Sequence, residues 1–115
     1  MAERTITSFT EFFPFYLREH ARPETRAFHY VGTTLVIAVA VFAVVTGRWV
    51  WLLALPVCGY FFAWVSHFFV EKNRPATFTY PLWSLVSDFK MYGLWITGRL
   101  GPHLERAGVK KGGIA

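Results

Sequence analysis

The sequence predicts an all-α membrane protein: a two-helix transmembrane hairpin with flanking amphipathic, interfacial helices. Three observations carry this reading. Ala27 to Gly47 is a run of 21 residues without a formal charge, and Trp49 to Val70 is a second run of 22. Both lengths suit a membrane-crossing helix. Only Arg48 separates the runs, which calls for a tight reversal. Finally, the 115-residue chain is 54% hydrophobic and 17% charged, against about 25% charge in an ordinary soluble domain. The rival is a soluble bundle with two fully buried helices, but so small a chain lacks the protein to surround both. A single membrane domain over residues 1–115 follows, with no internal repeat beyond the two-run symmetry.

The elements follow in chain order. Residues 8–20 are aromatic and amphipathic, with Phe9, Phe12, Phe13, Phe15, Tyr16 and Leu17 on one broad stripe. Ser8 and Glu11 have capping-box spacing, so a helix starts there; Pro14 lies far enough inside to kink it. This helix is expected in the interface, rings in lipid and charges in water, although a protein contact would use the same pattern. A turn through Pro23 leads into the first membrane helix, about 27–47, which Gly47 closes as C-cap. The second, about 49–70, starts with Trp49 and Trp51 at an aromatic belt. Pro56 and Gly59 can bend it without preventing insertion. Lys72 to Pro81 is polar and reads as a loop. Residues 81–98 form a second amphipathic, interfacial helix, opened by Pro81. The Gly- and Lys-rich tail, 101–115, is expected to fray.

Arg4, Arg18, Arg22 and Arg26 precede the first run, and seven basic residues from Lys72 to Lys111 follow the second. By the positive-inside rule both termini face the cytoplasm and the hairpin tip points away. The net charge of +5 therefore reads as topology and attraction to anionic lipid, not as a nucleic-acid surface. No cleavable leader is expected, because the first apolar run starts behind acidic and basic residues. Cys58, inside the second run, reads as a small apolar residue.

Ionisable groups at membrane depth are functional candidates. His29 lies 18 residues before Gly47 and His67 lies 19 after Arg48. At about 1.5 Å rise per residue both fall roughly 27–29 Å from the tip, so a folded hairpin brings them to one level on the cytoplasmic side. His20 is the third candidate. Glu71, an i, i+4 neighbour of His67, is a possible further ligand or the acceptor that fixes a histidine tautomer. Three imidazoles suit Fe(II) or Zn(II), and two with a carboxylate suit Fe(II). Asp88 is either an outer partner of such a site or the wet side of its helix. Lys72 and Arg74 either anchor the membrane exit or hold a carboxylate head group whose tail runs into lipid. His103 is expected to be solvated and without a role. Two rivals remain: a haem protein using His29 and His67 as axial ligands, and a non-enzymatic membrane adaptor. Two crossing helices make a thin wall around any cavity, so association into a homo-oligomer is expected.

Two segments resemble the signature blocks of the Mpo1-like family. One is YLREHARPETRAFHYVG, residues 16 to 32, with histidines nine apart around a polar turn; the other is HFFVEKNRPATFTYPLWSLVSDF, residues 67 to 89. With the hydrophobic hairpin between them, the resemblance runs from Phe9 to Leu100. It implies an Fe(II)-dependent dioxygenase acting with O2 on long-chain 2-hydroxy fatty acids, shortening them by one carbon. It also implies that the essential histidines are His20, His29 and His67. The chain departs from longer relatives in having one hairpin, which bears on substrate more than on metal.

Overall fold

A computed structural model describes residues 5–109. Among them the protein is all-helical: α1 spans Phe9–Arg18, α2 Pro23–Thr46, α3 Leu55–Val65, α4 Pro81–Ile96 and α5 Leu100–Ala107. Shorter turns of other pitch join them: 3₁₀ at Trp49–Ala54 and Ala76–Phe78, and a π turn at Ser66–Glu71.

Each boundary has a local cause. The Ser8 hydroxyl accepts the Glu11 N–H and caps α1, satisfying one of the orphan donors of the first turn. The helix continues through Pro14 to Arg18. Pro23 opens α2, and Gly47 ends it in the left-handed conformation at φ 69°, which costs glycine little. Arg48 N–H then bonds the Thr46 hydroxyl at 3.3 Å, and the chain reverses. The second apolar run is not one uniform helix. It starts as a 3₁₀ turn, becomes α at Leu55, with Pro56 in the first turn, and widens to π at Ser66.

α2 and the second run pack along each other in reversed order. Phe42 meets Trp51 edge-on at 5.5 Å, Gly32 lies against Cys58, Gly59 and Phe62, and Thr25 bonds Glu71. Both segments are long and apolar enough to cross a membrane, at mean hydropathies of 2.1 and 1.6. Their outward surfaces are greasy: Val45 is 78% exposed and Leu53 77%, and α3 buries no residue fully. An exposed apolar belt of this extent needs a non-aqueous neighbour.

The principal core lies elsewhere, between α1, α4 and α5. Phe12, Phe13, Tyr16 and Leu17 of α1 are buried with Met91 of α4 and Leu100 and Leu104 of α5. Phe12 packs on Tyr80 and Trp83 at 5.1 and 5.5 Å. The α1 aromatic stripe therefore faces protein rather than lipid, a correction to the interfacial expectation. The second correction concerns the tail: residues 100–107 are helical and packed, not frayed. Leu100, Leu104 and Ala107 recur at helical spacing and supply the face that α1 needed. Residues 110–115 of that tail lie outside the described residues.

Candidate metal centre

His20 stands in the turn just after α1, His29 is nearly two turns into α2, and His67 is the second residue of the π turn. All three are buried, at 1%, 6% and 2% exposure. Their coordinating nitrogens lie within 4.8 Å of one another. His20 Nε2 is 3.0 Å from Nε2 of His29 and 3.0 Å from Nε2 of His67.

The tautomers follow from the outer nitrogens. His20 Nδ1 donates to the Tyr16 carbonyl at 2.7 Å, and His29 Nδ1 donates to the Thr25 carbonyl at 3.1 Å. His67 Nδ1 donates to Asn73 Oδ1 at 2.7 Å, while Asn73 Nδ2 donates to the Glu19 carbonyl at 3.0 Å and so fixes the amide orientation. With every ring proton on Nδ1, each Nε2 carries a bare lone pair. Three acceptors pointed at one buried spot repel one another, and no hydrogen bond among them relieves this. A cation does. Separations of 3.0 Å are those of nitrogens about 90° apart at an ion with bonds of about 2.1 Å. The adjoining chamber, about 10 Å³, holds roughly one water-sized particle. The donor set therefore fits a metal ion. Burial, reinforced by its neighbours His29 and His67, holds the His20 imidazole well below its ordinary pKa, and a neutral ring is the ligating form.

Local structure aims these rings. The π turn lets the His67 carbonyl accept N–H groups from both Lys72 and Asn73. Lys72 takes φ 64°, and this left-handed step brings Asn73 back beneath His67. Arg26 is fully buried, and its Nη1 bonds the carbonyls of His20 and Ala21 at 2.8 and 3.0 Å. It thereby ties the turn that carries His20 onto α2. Tyr16 packs against His20 with ring centroids 4.1 Å apart and planes tilted by 30°, and its hydroxyl donates to Asp88 Oδ1. Burial and the Asp88 carboxylate push the Tyr16 phenol up, and burial raises Asp88 to about 6.

Among the described residues Glu71 makes its hydrogen bonds at the start of α2. Its Oε1 accepts from Arg22 N at 3.0 Å and Thr25 Oγ1 at 2.8 Å, capping the start of α2, and Asn73 takes the position beside His67. Asp88 lies not on a wet face but half-buried beside the cluster, lining the chamber with Tyr16, His20, His29 and His67. Lys72 and Arg74 line neither that chamber nor the apolar one described next. Arg74 sits over the Phe78 ring at 5.7 Å. His103 is half-buried, edge-on to Phe13 at 5.8 Å, instead of freely solvated. The haem arrangement does not fit, because His20 Nε2 occupies the gap between His29 and His67 where a macrocycle would have to lie.

Beside the cluster a second chamber, about 280 Å³, runs between α2, α3 and α4. Thr33, Val36, Leu55, Pro56, Leu85 and Phe89 line it, and His29, Tyr60 and Asp88 are common to both chambers. α4 thus supplies a third wall that the two-helix picture lacked. Sequence reasoning missed Asn73, Tyr16, Arg26 and this wall. Arg26 was hidden by its resemblance to an ordinary membrane-flanking cation, and Asn73 stood in plain view inside the second signature block.

No curated protein sequence and no solved structure matches the chain. The family model described as "2-hydroxy-palmitic acid dioxygenase Mpo1-like" matches residues 6–100, a span that holds all three histidines, Asn73 and Asp88. The chain belongs to the Mpo1-like family.

Proposed function

We propose that the protein is a membrane-embedded, Fe(II)-dependent dioxygenase that removes one carbon from long-chain 2-hydroxy fatty acids. The observation that carries this reading is the set of three buried Nε2 lone pairs converging on one spot, each ring locked from behind. His20, His29 and His67 are the ligands. Imidazoles accept Fe(II) or Zn(II), but Zn(II) has no redox chemistry and the family's reaction consumes O2. When bound, the iron would supply open positions at which O2 and the hydroxy-carboxylate head group meet. One 2-hydroxy acid and one O2 yield the shorter acid, CO2 and water. The substrate provides every electron needed, so no reducing cosubstrate enters the balance.

The remaining work falls to the chain itself. Tyr16, Thr25 and Asn73 hold the imidazoles in orientation, which spares reorganisation during reaction. The chamber between α2, α3 and α4 takes the acyl chain and keeps water from the head group. Lys72 and Arg74 attract the acid by their charge, without lining either chamber. The two apolar segments cross the membrane as a hairpin, with both termini and the metal centre on the cytoplasmic side.

The test is turnover by the purified full chain in detergent, supplied with Fe(II), O2 and 2-hydroxypalmitate. Pentadecanoic acid is the expected product, read by mass spectrometry. Its absence from protein with demonstrably bound iron would exclude that substrate. Iron retained after each of His20→Ala, His29→Ala and His67→Ala would overturn the ligand assignment.

A further inference from the structure

Ser84 and Asp88 stand four residues apart on α4 and so share one helix face. Both line the small chamber beside His20, His29 and His67. Ser84 is 2% exposed, and its Oγ has no hydrogen-bond partner among the described residues. A buried hydroxyl without a partner is costly and calls for one. Asp88 stands at the neck between the small chamber and the apolar one, with His29 and Tyr60. Tyr16 holds its Oδ1 from behind, which fixes the carboxylate in place at that neck.

We propose that Ser84 and Asp88 form a polar wall that selects 2-hydroxy acids over unsubstituted fatty acids. The small chamber, with room for roughly one water-sized particle, takes one oxygen of the substrate carboxylate, to which Ser84 Oγ donates, and Asp88 accepts the 2-hydroxyl at the neck. The assignment follows from donor counting. An ionised carboxylate only accepts; Tyr16 takes Oδ1, so the other oxygen can bind only a donor, and the 2-hydroxyl is the one donor that an ionised 2-hydroxy acid has near its head group. The acyl chain then leaves through the neck into the apolar chamber. An unsubstituted acid brings no donor and leaves the Asp88 oxygen that faces it unpaired, which rejects it.

This inference rests on the reading of the site as a 2-hydroxy acid site, and the test separates the two. The full chain, purified in detergent and loaded with Fe(II), is titrated anaerobically with 2-hydroxypalmitate and with palmitate by calorimetry, so that binding is read without turnover. Wild type is expected to prefer 2-hydroxypalmitate by about tenfold or more. Ser84→Ala weakens 2-hydroxypalmitate binding by about tenfold. Asp88→Asn, which keeps an acceptor for Tyr16, removes the preference, chiefly by admitting palmitate. Iron content stays at the wild-type level in both variants. Unchanged affinity in Ser84→Ala, or an unchanged preference in Asp88→Asn, with iron bound, overturns the wall alone. Loss of iron in the variants also overturns it, by showing a role in holding the metal site together. If wild type binds neither acid, the substrate reading fails and the wall falls with it.

Discussion

Asn73 shows what a single amide does at this site. Its Oδ1 takes the His67 Nδ1 proton at 2.7 Å, and its Nδ2 is anchored on the Glu19 carbonyl at 3.0 Å. One side chain therefore fixes the His67 tautomer and joins the π turn to the segment that carries His20. Asn73→Ala leaves the His67 ring free to turn and to protonate either nitrogen. Metal affinity is then expected to fall by about 10–100-fold, the usual effect of removing an outer partner, with helical content preserved. Metal titration beside circular dichroism reads both, and affinity equal to wild type would show that the His67 ring is aimed by something else. Asn73→Asp keeps the acceptor but sets a carboxylate against the Glu19 carbonyl, so its affinity should lie between the two. The residues themselves were only partly legible. His29 and His67 announce themselves because each is costly in an apolar run. An asparagine in a polar loop does not, since its partners come from a backbone reversal that periodicity cannot encode.

That reversal belongs to the element scale. The turn at Ser66–Glu71 carries one more residue per hydrogen-bonded ring than an α-helix, which rotates all that follows, and left-handed Lys72 completes the return. A run of apolar residues says "helix" without saying which pitch, so the spans were readable and their 3₁₀ and π ends were not. The same ambiguity misplaced α1. Its aromatic stripe specifies a greasy partner and not whether that partner is lipid or protein. The partner, α5, was masked by the Gly101-Pro102 pair and the basic tail around it. What the hairpin needs from its sequence is narrower still. A Cβ on Gly32 would stand 3.2 Å from the Cys58 carbonyl and 3.3 Å from Phe62 Cβ, so α2 and α3 touch through that position. Gly32→Val forces the helices apart, at about 1–3 kcal/mol, and pulls His29 from His67 because both sit on the displaced elements. Thermal unfolding should show the loss together with weakened metal binding. A variant of wild-type stability and metal affinity would mean that the contact between the helices is not what sets the imidazole spacing.

For the molecule as a whole, the decisive arrangement is polar chemistry at one end of an apolar pair. The hairpin tip at Gly47-Arg48 carries no partner for the histidines, whereas the core of α1, α4 and α5 closes over the opposite end, where His20, His29 and His67 meet. In the proposed reaction a head group sits in the polar cap while its chain stays between the two apolar segments. This requires the membrane to lie between the tip and the cap. Charge counting puts Arg48 outside and Arg99 inside, an orientation that can be tested on cells expressing single-cysteine forms. With Cys58 replaced by alanine, Arg48→Cys should react with a membrane-impermeant maleimide added outside. Arg99→Cys, exposed on the cap, should react only after permeabilisation. The reverse pattern would put the metal centre on the outer face, and labelling of both in intact cells would remove the crossing itself. The first outcome would leave the imidazole geometry untouched while changing which pool of acids reaches it. The second would leave the belt of exposed apolar residues on α2 and the second apolar run to be covered by protein instead, because a surface with Val45, Leu53 and Phe69 about three-quarters exposed cannot stay bare in water.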